Sequence, residues 1–245
     1  MQRRGSQGYG QSSSAYRRLA AVLALLVGLG ACAPAPRPVP GAPAVPAAAA
    51  LPAGPAYRVD PARSSLRILV YRAGALARLG HNHVLESHEL AGDVHLAAAG
   101  AYAGAGFALR LPVASLIVDD AAARGEEGAE FATEPTPADI EGTRRNLLSP
   151  GVLDALAHPV ISLDGTTVAR GDALVALARI TVAGHASTLE VPLAVTAAPG
   201  TLTLRGGFGV AQTALGLVPF SLALGALSVR DELEVRFTLV ATASP

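Results

Sequence analysis

From Tyr57 onward the chain is dominated by an alternation of apolar and polar residues with a period of two. Leu66, Ile68 and Val70 enclose Arg67, and Phe107, Leu109 and Leu111 alternate with Ala108 and Arg110. Ile180 and Val182 follow Arg179, while Leu189, Val191, Leu193 and Val195 bracket Glu190. Leu202 and Leu204 alternate with Thr201, Thr203 and Arg205; Leu233, Val235, Phe237 and Leu239 alternate with Glu232, Glu234, Arg236 and Thr238. Successive side chains of a strand point to opposite faces, so each segment predicts a strand buried on one face only. Turn signals separate them, at Asp164-Gly165, Arg170-Gly171-Asp172 and Pro199-Gly200. Many such strands predict an antiparallel barrel or sandwich. One connection, residues 118–159, breaks the pattern: an acidic loop is followed by a helical stretch opening at Thr136-Pro137-Ala138-Asp139-Ile140. Ser149 before Pro150 predicts the N-cap of a second helix, and the two helices are expected to cover one barrel end.

The N-terminus carries Arg3, Arg4, Arg17 and Arg18, no acid, and an apolar run over residues 19–31. This has the layout of a secretory signal peptide. Pro34, Pro36 and Arg37 interrupt the run well short of the roughly 20 apolar residues that a membrane-spanning helix needs. Leu29-Gly30-Ala31-Cys32 resembles the lipobox of bacterial lipoproteins. The resemblance implies cleavage before Cys32 and acylation of its thiol, and several acyl chains make an anchor stable. Residues 33–56 are almost entirely Ala, Pro and Gly, a composition that cannot bury a core. The expected organisation is therefore a signal peptide at 1–31, an acylated cysteine and tether at 32–56, and one domain at 57–245. Cys32 is the only cysteine, so the fold rests on its core without a disulfide. Ala33 after the cysteine favours the outer over the inner membrane by the lipoprotein sorting rule of some Gram-negative bacteria. Loss of the four signal arginines leaves 15 basic against 19 acidic residues, a balance that excludes a nucleic-acid partner.

Several segments, in order, resemble the YceI-like family of polyisoprenoid-binding, lipocalin-like barrels. They are Tyr57-Arg58-Val59-Asp60-Pro61 with Ser64 and Ser65; Leu147-Leu148-Ser149 with Val152-Leu153-Asp154-Ala155 and His158-Pro159-Val160-Ile161; Ile180-Thr181-Val182-Ala183-Gly184 through Leu189-Glu190-Val191-Pro192-Leu193; and Gly207-Phe208-Gly209-Val210 with Val229-Arg230-Asp231-Glu232-Leu233. The resemblance implies an all-β fold with a short helical insertion, an antiparallel lipocalin-like barrel of about eight strands. It also implies a bound isoprenoid-type lipid inside that barrel. The segment Leu79-Gly80-His81-Asn82-His83-Val84-Leu85 and the long acidic connection depart from the family pattern.

The residues that alternate towards the inside are the candidate cavity lining: Leu66, Ile68, Val70, Phe107, Leu109, Leu111, Ile161, Leu163, Ile180, Val182, Leu193, Val195, Phe208, Val210 and Phe237. A solid core needs the same residues, so their pattern alone does not distinguish a hollow barrel from a filled one. His81 and His83 face the same way if their segment is extended, a placement that suits contact with a ligand head group or a shared transition metal. His88, His95 and His185 are candidate third ligands. Asn82 between the two histidines points instead to a hydrogen-bonded corner, and no spacing matches a closed zinc site. Asp119, Asp120, Glu126, Glu127, Glu130, Glu134, Asp139 and Glu141 crowd one connection, with Arg124, Arg144 and Arg145 nearby. A solvated acidic loop neutralised in part by Arg144 and Arg145 is expected there, against a cation site or an electrostatic gate. Glu86 and Asp93 are available as bases, but the chain holds no Gly-x-Ser-x-Gly elbow, His-Glu-x-x-His helix or glycine-rich phosphate loop, so no enzyme is expected.

The expected function is that of a periplasm-facing lipoprotein binding a polyisoprenoid or isoprenoid-quinone-like lipid, with no cofactor. Its expected partners are that lipid and the membrane reached through the acyl anchor, with a homodimer left open. The alternatives are a metal-binding or redox-accessory protein using His81 and His83, and a solid barrel acting as an interaction scaffold.

Overall fold

The structure, a computed structural model, describes residues 50–244. The expected signal peptide, Cys32 and the expected tether up to residue 49 lie outside the described residues. Twelve strands are formed: β1 (Ala56–Val59), β2 (Ser65–Ala73), β3 (His83–Ser87), β4 (Ala91–His95), β5 (Gly106–Pro112), β6 (Ile117–Val118), β7 (Val160–Arg170), β8 (Ala173–Val182), β9 (His185–Ala198), β10 (Thr201–Ala211), β11 (Ser221–Leu222) and β12 (Leu227–Ala243). Two helices, α1 (Ala121–Gly125) and α2 (Pro137–Leu148), fall between β6 and β7. Residues 51–55 already belong to the folded unit. The Pro55 carbonyl accepts from the Leu96 N–H at 2.9 Å, and the Pro52 carbonyl lies 2.9 Å from His95 Nδ1.

The strands close into a ring, β1-β4-β5-β7-β8-β9-β10-β12 and back to β1, the last step running from Tyr57 opposite Ala243 to Val59 opposite Ala241. Beyond a break in each, β2 continues β1 along β12, β3 continues β4, and β6 continues β5. The result is eight antiparallel staves, three of them kinked, in an up-and-down barrel closed through the β1–β12 pairing. Side chains plug the kinks. Ser64 donates its hydroxyl to the Asp60 carbonyl at 2.7 Å and accepts from the Val240 N–H at 3.0 Å. Ser87 and Ser115 share a hydrogen bond of 2.8 Å between the second and third breaks.

Two sequence expectations are corrected. Asp164-Gly165 is no turn but the middle of β7, where Gly165 stands opposite Phe107 on β5. Ser149 starts no second helix: it ends α2, its hydroxyl donating to the Asn146 carbonyl at 2.6 Å, and residues 150–157 form turns. Thr136 does open α2, accepting from the Asp139 N–H at 3.3 Å while Asp139 accepts from the Thr136 N–H at 2.9 Å, a reciprocal capping box. Arg144 pins this helix to the third kinked stave by donating to the carbonyls of Leu116 and Ala114.

The acidic connection is tied down chiefly by arginines distant in sequence, Arg67 and Arg236. Arg67 lies 2.9 Å from Glu126, 3.0 Å from Glu127 and 3.3 Å from Glu86, and Arg236 reaches Glu127 at 2.8 Å. Beneath these pairs Ala123 and Phe131 cover Leu69 and Val84, which point outward from β2 and β3. Glu126 and Glu127 thus fasten α1 to the outer wall; of the two expected arginines, Arg145 pairs with Glu141 at 3.6 Å on the exposed face of α2, while Arg144 binds carbonyls instead.

Candidate functional site: an apolar barrel interior

Since alternate residues face inward, closing the barrel brings the apolar sets of all eight staves around one axis. They do not fill it. A cavity of about 320 Å³ remains, and its wall is almost wholly apolar. All fifteen apolar candidates face it, from Leu66 on β2 to Phe237 on β12. The barrel is hollow, so the solid-scaffold alternative is not supported.

Two phenylalanines help to keep the space open. Phe107 and Phe237 stand opposite Gly165 and Gly206 in the strand register. A Cβ on Gly206 would fall 2.5 Å from the Phe237 ring, and one on Gly165 would fall 2.9 Å from Phe107. Each ring therefore lies back over its glycine, against the wall. Ala176 and Ala178 on β8, both buried, add small side chains on the same lining.

The lower end, where β4, β7, β9 and β12 finish, is closed by packing of Leu96, Ala105 and Leu202 with Tyr57 and Tyr102. At the upper end Thr143, Asn146 and Leu147 of α2 reach the lining, together with Leu215, Leu217 and Phe220 of the connection after β10. The alternation had not identified Leu85, Leu90, Val94 or Leu116 as lining residues. The breaks in the staves shift parity, so inward positions are odd in β3 and even in β4.

Polar contact with the interior is sparse, and the best-held group is His83 at the top of β3. Its Nδ1 lies 2.7 Å from Asp119 Oδ2. Asp119 is buried, accepts from the Val84 N–H at 2.9 Å, and pairs with the buried guanidinium of Arg124. Arg124 in turn donates to the carbonyls of Asn82, Phe131 and Thr133. Burial opposes ionisation of Asp119, but the hydrogen bonds from His83 and Val84 and the charge of Arg124 outweigh it, leaving its pKa below the usual carboxylate range. An ionised carboxylate can only accept, so Nδ1 carries a proton, and in the neutral ring Nε2 is left as an acceptor. Nε2 has no partner among the described residues, and His83 contributes to the cavity wall.

His81 does not join it. Its Nδ1 is buried without a hydrogen-bond partner, and Nε2 is 3.9 Å from Asp139, too far for a hydrogen bond. The two imidazoles stand 6.4 Å apart, centroid to centroid, and nearly perpendicular. Asn82 forms the expected corner, accepting from the Arg72 N–H and donating to the Glu130 carbonyl, both at 2.9 Å. His88 bonds the Ser64 carbonyl, His95 the Pro52 carbonyl, and His185 sits beside Gly216. Among the described residues no three His, Cys, Asp or Glu side chains converge as a metal site would require. Glu86 and Asp93 are engaged by Arg67 and Arg58.

Neither a family model nor a curated protein matches this chain. Solved structures do. The crystal structure of Burkholderia cenocepacia BcnA superposes with a TM-score of 0.54 at 18% identity, covering 75% of this chain and 99% of that one. The chain has the fold of that barrel. A mutant CJ YceI protein crystallised with a monobromobimane guest matches with a TM-score of 0.45 at 10% identity, over 64% of this chain and 82% of that one. The closed eight-stave antiparallel barrel is the architecture that the YceI-like resemblance implies.

Proposed function

We propose that this protein is a lipid carrier that shelters one apolar chain of an isoprenoid-type amphiphile inside its barrel. The observation that carries the reading is the apolar cavity of about 320 Å³ inside the barrel. Such a volume sits at the lower end of the roughly 300–1,000 Å³ typical of small-molecule sites. It suits a slender chain better than a broad ring system. Each methylene moved from water into the wall contributes about 0.8 kcal/mol, so some ten of them supply about 8 kcal/mol against the cost of association. His83 Nε2 supplies one polar contact at the upper end, suited to a hydroxyl head group. The carrier role needs no catalytic group.

The lipobox-like segment ending at Cys32 supports a carrier that is lipid-anchored on the periplasmic side of a membrane, and Ala33 favours the outer membrane. Binding is tested by titrating the delipidated protein with an environment-sensitive fatty-acid probe and displacing it with a polyprenol. Saturable uptake of one probe per chain, reversed by the polyprenol but not by a short water-soluble alcohol, supports the reading. Absence of saturable uptake overturns it.

A further inference from the structure

The connection between β10 and β12 is apolar on both sides. Leu215, Leu217 and Phe220 line the cavity, whereas Val218, Leu222 and Leu224 point away from the protein and are exposed at 75%, 50% and 108%. No charged residue occurs anywhere from Gly206 to Val229. Two neighbouring connections at the same barrel end add Leu79 and Leu156, exposed at 64% and 96%. Contacts between the connections place these tips side by side. The Leu76 N–H donates to the Ala226 carbonyl at 2.7 Å, Gly216 abuts His185, and Gly184 abuts His158. Single exposed hydrophobic residues are ordinary, but five large ones around one rim are not. Ala223 and Leu224 also hold left-handed backbone, with φ of 49° and 56°, a conformation that side chains bearing a Cβ disfavour. The fold presents Leu224 to solvent in spite of that.

We propose that this rim is a membrane-insertion surface. The upper end seats Val218, Leu222, Leu224, Leu79 and Leu156 in the acyl boundary of a bilayer, so that an apolar ligand moves between bilayer and cavity past Leu217 and Phe220 without crossing water. Its purpose rests on the carrier reading above; its geometry does not. Three features select a lipid surface over a protein or a second copy. The 206–229 stretch offers no charge with which to recognise a protein partner. Its outer apolar face is continuous with the apolar cavity through one loop. Arg78, exposed beside Leu79 and in no ion pair among the described residues, is placed to reach lipid phosphates. Glu130 and Asp139 lie towards the β3 side, near Asn82 and His81, and on the β12 side Asp231 is held by the Thr213 hydroxyl and N–H, so the apolar tips insert while these carboxylates stay at the head-group level. The 17 residues from Ala33 to Ala49 can extend to about 60 Å, enough for a chain tethered at Cys32 to turn this end to the bilayer.

The test uses the full chain on vesicles of phosphatidylethanolamine and phosphatidylglycerol, with an environment-sensitive fluorophore on Leu224→Cys, on Val218→Cys or, at the opposite end, on Asp172→Cys. The unsubstituted chain reports any label taken up at Cys32. The expected result is a blue shift at 224 and 218 with quenching by lipid-borne nitroxide, while the label at 172 is quenched by aqueous iodide. Iodide quenching at all three positions overturns the proposal. Shielding at 224 that rises with protein concentration and needs no vesicles assigns the rim to a second copy and also overturns it. Uptake of an apolar probe, measured separately on the same labelled chains, distinguishes a failure of the carrier reading from a failure of the rim.

Discussion

His83 Nδ1 and the carboxylate of Asp119 lie 2.7 Å apart, joining the wall of the cavity to a buried charge on the connection that follows β6. Asp119 adopts φ of 55°, uncommon for a residue other than glycine, and from there it meets the Arg124 guanidinium, the Val84 N–H and the imidazole. One carboxylate therefore orients the one histidine that the described residues place on the cavity wall and neutralises the arginine that holds the loop.

Asp119→Ala leaves Arg124, exposed at only 7%, without a counter-charge. Removing one partner of a buried pair costs about 3–5 kcal/mol. Urea unfolding followed by circular dichroism is expected to show a loss of that size, whereas Glu190→Ala, which removes an exposed pair with Arg170, is expected to cost under about 1 kcal/mol.

The same site sets a pH dependence. Because the folded state holds the Asp119 pKa below its ordinary value, the carboxylate adds stability above its unfolded pKa of about 4, and that contribution is lost as pH falls towards the folded value. The wild type is expected to lose stability more steeply below about pH 4 than Asp119→Asn, which has no carboxylate there to protonate. Parallel acid limbs for the two proteins would show that Asp119 is not ionised in the fold.

Ala178 is buried on β8 and faces the cavity. Ala178→Phe places a ring in the space proposed for the ligand. The variant is expected to keep the barrel's far-UV spectrum, to change in stability by no more than about 1–3 kcal/mol, and to lose apolar-probe uptake at least tenfold. Undiminished uptake would place the ligand outside the barrel.

Gly206 and Phe237 form a coupled pair. Gly206→Val puts a side chain 2.5 Å from the Phe237 ring and 2.7 Å from the Pro192 carbonyl, pushing the ring into the cavity. About 1–3 kcal/mol of destabilisation is expected from such crowding. Phe237→Leu should recover part of it, a non-additivity that a double-mutant cycle measures directly.

The lining was legible because a barrel maps strand parity onto inside and outside with no further information. Leu189, Val191, Leu193 and Val195 on the unbroken β9 all reach the cavity, as their alternation requires. Legibility failed at the kinks, where Leu85 and Leu90 face the same interior from positions of opposite parity. It failed also for the acidic connection, since Arg67 and Glu126 are 59 residues apart and Arg236 and Glu127 are 109 apart. No local pattern encodes such pairs. Ser149-Pro150 carried a valid helix-start signal, yet the turn that follows folds back on α2: the Leu153 N–H bonds the Leu147 carbonyl and the Ala155 N–H bonds the Leu148 carbonyl, both at 3.1 Å. The paired spacing of His81 and His83 likewise said nothing of Asp119, the residue that distinguishes one from the other.

Native mass spectrometry of the protein purified from its own host tests the carrier reading most directly. The account predicts a complex of one chain with one apolar molecule, extractable into organic solvent and absent from Ala178→Phe. A bare chain mass under gentle conditions, with no apolar molecule recovered on extraction, would contradict it.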